Sequence, residues 1–149
     1  MGKQLSFKHE FQYPVEDVYN VVKEQQLSFF QQYDHSIKEL SKGIEIKKQM
    51  YTKTSNKEIP VKMCISELID NQRMEVVTKY HEGDIVTTYL FENINGKTRM
   101  TYIEENHFNK AMNEMNFYFV SFLYKWMYNR NIKKRMRYIE SLLGRVKSL

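Results

Sequence analysis

Leu5, Phe7, His9 and Phe11 alternate with Ser6, Lys8, Glu10 and Gln12, the two-residue period of a strand that buries one face. Tyr13 and Pro14 end the run, and from Val15 the period changes. Val15, Val18, Tyr19 and Val22 recur at helical spacing, with Pro14 suited to the first turn and Glu16 and Asp17 near the positive end of the helix dipole. A second short helix is expected next, over Leu27 to Tyr33 or through Ser36 to Leu40. After Gly43 the pattern returns to alternation. Ile44, Ile46 and Met50 mark one strand, and Val61, Met63 and Ile65 mark the next, up to a turn at Asp70-Asn71. Met74, Val76, Thr78 and Tyr80 mark a third, ending at Glu82-Gly83-Asp84. Ile85, Thr87, Tyr89 and Phe91 precede Asn95-Gly96, the strongest hairpin signal in the chain, and Met100, Tyr102 and Glu104 follow it. Short turns between successive strands imply an antiparallel meander.

From about Asn109 the helical period returns and holds to the end. Met112, Met115, Phe119, Phe122, Leu123 and Trp126 form one stripe. One long helix, or two joined near Asn129, accounts for the tail. The stripe continues in angle into Arg130, Lys133 and Arg137, whereas Ile132, Met136, Ile139 and Leu143 form a different apolar face. The helix is therefore expected to break near Asn129, or to bury its second half against another surface: the N-terminal helices, a second protomer or a membrane surface. A transmembrane span is excluded there, because the uncharged stretch between Glu114 and Lys125 is 10 residues, against the roughly 20 that a bilayer requires.

The order strand, Pro-started amphipathic helix, antiparallel meander and C-terminal helix resembles the START-like helix-grip superfamily, also called SRPBCC or Bet v 1-like. The segment Phe7 to Val22 carries the local likeness: an alternating strand, a proline, and a helix with an aromatic, Tyr19, in its second turn. The chain further resembles an uncharacterised bacterial family within that superfamily, which would supply a fold and no activity. The resemblance implies an α+β domain spanning 1–149. A curved antiparallel sheet of about six strands would wrap a long C-terminal helix, with two short helices after the first strand and a cavity between sheet and helix. Relatives bind sterols, lipids, polyketides or plant hormones, and some are cyclases or dehydratases, so the fold leaves the function open.

Composition adds content to that cavity. The 149 residues include 11 Tyr, 9 Phe and 9 Met against 5 Gly and 2 Pro, an abundance of large adaptable apolar surface that suits either a bulky core or a ligand pocket. The expected lining is Phe7, His9, Phe11, Met63, Ile65, Tyr80, Tyr89, Tyr102 and Glu104 from the strands, with Met115, Phe119, Phe122 and Trp126 from the helix. Such a surface is mostly apolar with a few groups that orient a ligand. His9 and Glu104 are the candidates for acid–base work if they meet; otherwise they pair structurally or lie at the rim.

Other chemistry is not expected. Cys64 is the sole cysteine, so an intramolecular disulfide is impossible and a cytosolic setting is the default. Met1 to Glu10 has no apolar core of a secretory signal. His35, His81 and His107 fall near loops or strand ends without metal-ligand spacing, and there is no glycine-rich phosphate loop. No cofactor is therefore anticipated. The net charge of +5 is uneven: residues 109–149 carry nine Lys/Arg and two Asp/Glu, a balance of +7, and residues 1–108 carry 14 and 16, a balance of −2. Arg130, Lys133, Lys134, Arg135 and Arg137 make an amphipathic basic helix, read as a solvated helix end or a weak membrane-surface contact, with nucleic acid not expected.

The leading expectation is a non-catalytic binding protein for a small hydrophobic or aromatic ligand. Two alternatives stay open: a cyclase or dehydratase using a cavity His/Glu/Tyr set, and an interaction module that forms a homodimer through its C-terminal helix.

Overall fold

The computed structural model describes residues 2–51, 58–80, 83–108 and 134–145. Among them are six strands and two helices. β1 (Gly2–Phe11) is followed by α1 (Val15–Gln31), then by β2 (Glu45–Tyr51), β3 (Glu58–Ile69), β4 (Arg73–Tyr80), β5 (Gly83–Ile94) and β6 (Lys97–Phe108); α2 spans 134–145. The strands form one antiparallel sheet in the order β1-β6-β5-β4-β3-β2. The meander puts β2 to β6 side by side, and β1 joins by pairing with β6. The sheet is open, with β1 and β2 at its edges.

Strand alternation selects the inner face. Phe11, Met100, Tyr102, Tyr89, Phe91, Met74, Val76, Ile65 and Ile46 are buried along it. Their register aligns them across strands: Phe7 faces Tyr102, Tyr102 faces Tyr89, Tyr89 faces Met74 and Ile65 faces Val76. The β3–β4 pairing shifts between Ile65 and Glu67, leaving Ser66 as an extra residue, and such a bulge bends and twists its strand. The β5–β6 turn is the two-residue hairpin expected at Asn95-Gly96, with φ of 53° and 84° and Ile94 opposite Lys97. Both central residues are left-handed, which asparagine and glycine tolerate best.

α1 packs Val15, Val18, Tyr19, Val22, Gln26 and Phe30 inward. Tyr19 meets Phe91 edge to face at 5.4 Å, and its hydroxyl donates to Asp70 at 3.2 Å in the β3–β4 turn. Pro14 is the N-cap rather than a first-turn residue, with Glu16 and Asp17 in the first turn. The expectation of a second short helix is corrected: α1 runs through Gln31 as one helix, and 32–44 is made of turns and bends. Gln26 holds the Val22, Gln26, Phe30 stripe together at four-residue spacing, so no break falls at Leu27. Beyond it, the Asp34 carboxylate accepts from the Ser36 N–H and hydroxyl, a local turn that competes with helix. Leu40 is nevertheless buried and anchors the turn segment.

The C-terminal helix is described only as 134–145, so a long one stands as an expectation. Met136, Ile139 and Leu143 are buried in the same core as Phe11, Val15 and Met100. This is the apolar face anticipated beyond Asn129, and it covers the domain's own interior. Arg137 and Tyr138 point to solvent. The anticipated break near Asn129 lies outside the described residues.

A buried polar chain on the inner face

Two tyrosines meet at the centre of the sheet. Tyr89 of β5 and Tyr102 of β6 are directly opposite in register, and their rings pack edge to face at 5.1 Å. Both are buried, so each hydroxyl needs a polar partner. Tyr102 donates to Glu104 Oε1, two residues along the same strand and therefore on the same face. Tyr89 accepts from the Arg135 guanidinium, which lies 5.0 Å from the centre of its ring. An arginine, two phenols and a carboxylate thus form a polar chain from α2 across β5 and β6.

The electrostatics follow from this placement. Burial pushes the Tyr102 phenol well above its ordinary pKa, Tyr89 and Glu104 add to the shift, and Arg135 opposes it. Burial also raises Tyr89, partly countered by Arg135. For Arg135 itself, burial disfavours the charge, but Tyr89, Tyr102 and Glu104 outweigh it and hold the guanidinium protonated. Among the described residues, the Arg135 guanidinium and the Glu104 carboxylate therefore share an interior lined mostly by apolar side chains.

Asn106 extends the same row. Residues 98, 100, 102, 104 and 106 alternate onto the inner face of β6; Asn106 is 1% exposed, and among the described residues its Oδ1 has no hydrogen-bond partner.

The other expected lining residues divide. Phe7, Phe11, Met63 and Ile65 lie in or against the core, and Tyr80 is half-buried at the end of β4. Met115, Phe119, Phe122 and Trp126 lie outside the described residues. The His9–Glu104 pair does not form. His9 faces Met100 and Glu104 faces Leu5, four residues apart along the sheet, or about 13 Å at strand rise. His9 Nε2 instead sits 2.7 Å from Glu140 Oε1 at the rim, joining β1 to α2, with its ring between Phe7 and Phe11. Among the described residues no group of His, Cys, Asp or Glu could hold a metal ion, and no helix is long and apolar enough to cross a membrane.

Sequence reasoning missed Arg135, Asn106 and Glu140. Arg135 precedes Ile139 by four residues and so borders the buried stripe, a spacing that identifies it. Asn106 continues the alternation through Tyr102 and Glu104 by one more step.

A six-stranded antiparallel sheet with a helix after its first strand and another at the C-terminus on its inner side defines a Bet v 1-like fold. Solved structures share it over nearly whole chains: the protein of unknown function SA2116 from Staphylococcus aureus, at 9% identity, TM-score 0.69 and coverage of 100% of this chain and 98% of that one; NE0264 from Nitrosomonas europaea, at 15%, 0.64, 98% and 97%; and Ara h 8.0201, at 10%, 0.57, 100% and 100%. At such identities the likeness carries the fold alone. No curated protein matches the sequence. Residues 6–125 match a domain of unknown function, DUF3284, and the chain belongs to that family.

Proposed function

We propose that the domain is a non-catalytic binding protein that encloses a small, largely apolar ligand between the inner face of the sheet and the C-terminal helix, in a cytoplasmic setting. The observation that carries this reading is the chain Arg135–Tyr89–Tyr102–Glu104 inside an apolar interior. Buried charges are costly to desolvate, and well-packed apolar side chains of similar size are often as stable or more so. A core selected for stability alone has little use for such a set, whereas a pocket needs a few polar groups among apolar walls to orient its ligand. The Bet v 1-like neighbours support the reading at the level of fold.

The geometry favours neither alternative. A cyclase or dehydratase using His9 with Glu104 would need the two in contact, and His9 is engaged by Glu140 at the rim. A dimer through the α2 apolar face would need Met136, Ile139 and Leu143 at the surface, and all three are buried within the chain. Native mass spectrometry of the freshly purified full chain tests the proposal. A retained small molecule released on collisional activation is the expected result. An apo mass alone, with no uptake of added naphthalene as a generic apolar probe, would overturn it.

A further inference from the structure

Asn106 Oδ1 is the buried acceptor that the polar chain leaves unused. A buried amide oxygen without a donor is costly, and native interiors rarely retain one without a reason. Its position supplies that reason if the interior takes a ligand. Asn106 follows Tyr102 and Glu104 on the inner face of β6, about 7 Å beyond Glu104 at strand rise, and is opposite Ile85 of β5. Among the described residues the charged groups of the inner polar chain are the Arg135 guanidinium, held at Tyr89, and the Glu104 carboxylate, held by Tyr102. A ligand carboxylate at Asn106 would meet Glu104 and Oδ1, both acceptors, because Arg135 is held at Tyr89, opposite Tyr102 and about 13 Å further along the sheet at strand rise. A ligand cation would enter an interior that already holds a buried guanidinium. A neutral O–H or N–H adds no charge and supplies the missing donor.

Resting on the binding reading above, we infer that Asn106 Oδ1 is the specificity-determining acceptor of the site, and that the ligand is a neutral molecule with an apolar body and a hydroxyl or N–H donor at one end.

Three probes of one shape separate the possibilities: naphthalene, 2-naphthol and 2-naphthoate, titrated into the full chain at neutral pH and followed by probe fluorescence. The unmodified protein is expected to bind 2-naphthol about 2- to 12-fold more tightly than naphthalene, the equivalent of one neutral hydrogen bond, and to bind 2-naphthoate more weakly than 2-naphthol. Asn106→Leu should bind naphthalene and 2-naphthol equally. A preference for 2-naphthoate would overturn the inference, as would equal binding of naphthalene and 2-naphthol by the unmodified protein, or a hydroxyl preference that survives in Asn106→Leu. In each of those cases the binding reading itself would stand. Uptake of none of the three probes would sink both. If Asn106→Leu fails to fold, judged by its circular dichroism, Asn106→Ala takes its place, and the ranking in the unmodified protein decides independently of any variant.

Discussion

Replacing Arg135 with methionine tests whether the inner polar chain acts as one unit. Methionine keeps most of the side chain's apolar volume, so packing of the stem is largely retained. Three terms change. The charged donor to the Tyr89 hydroxyl is lost, at about 1.5 to 3 kcal/mol. The cation over the Tyr89 ring at 5.0 Å is lost, at roughly 1 to 2 kcal/mol for a desolvated pair. Against these stands relief from keeping a guanidinium out of water. Arg135 reaches Glu104 only through the two phenols, and leaving one charge of a buried network uncompensated costs about 3 to 5 kcal/mol. Glu104 is only part-buried, so the lower end applies: about 3 kcal/mol, or roughly 6 to 12 °C in melting temperature for a chain of this size. Glu104→Gln keeps an oxygen that can accept from Tyr102 while removing the charge. In the Arg135→Met background it should restore about 2 kcal/mol, the order of coupling seen within one network. Urea unfolding of the four proteins at pH 7 completes the cycle. Additive effects within about 0.5 kcal/mol would show that the two charges do not sense each other. A double variant of near-native stability that no longer binds 2-naphthol would show that the polar chain is retained for binding at the expense of stability.

Ile139→Ala should cost about 2 to 5 kcal/mol in urea unfolding, because Ile139 is fully buried and its loss leaves a cavity; Tyr138→Ala, on the solvent side of the same helix, should stay within roughly 0.5 kcal/mol, and equal costs would mean that α2 packs through another face. Burial, reinforced by Asp70, pushes the Tyr19 phenol up to about 12, above the value near 10 of an unfolded tyrosine. The neutral phenol therefore stabilises the fold fully below pH 10, and the contribution is lost as pH rises toward about 12. Because the hydroxyl reaches a solvent-facing carboxylate, the loss should be roughly 1 kcal/mol rather than the full linkage value, and Tyr19→Phe should abolish it; an unchanged alkaline slope in that variant would refute the assignment. Gly96→Ala should cost about 1 kcal/mol in thermal unfolding, wholly from its positive φ, since nothing lies within 4 Å of the added Cβ; a neutral result would mean that the turn relaxes.

The strands and the start of α1 were legible in the sequence because each must bury one face, and a buried face imposes its period on residue choice. Phe11, Ile65, Tyr89 and Tyr102, all expected on the inside, lie in the core. The length of α1 was not legible, and Gln26 is the reason. A glutamine between Val22 and Phe30 looks like the end of an apolar stripe, yet Gln26 is 7% exposed and its stem occupies the same stripe. The expected stripe stopped at Val22, although Gln26 and Phe30 continue its four-residue spacing.

The same error, in the opposite sense, hid the candidate site. Arg135 stands in a run of five basic residues within eight, and the run as a whole belongs in water. A helix does not bury or expose runs, however; it sorts residues by angle. Lys134 and Arg137 fall on the exposed side, while Arg135, four residues before Ile139, borders the buried face and reaches Tyr89. Asn106 differs in the same way from the asparagines of the turns. Asn71 and Asn95 adopt left-handed backbone where asparagine is favoured, whereas Asn106 lies at an inward strand position with nothing local to explain it. Polar residues whose period assigns them to the interior are therefore the positions from which to argue chemistry, and in this chain they converge on β6 and α2.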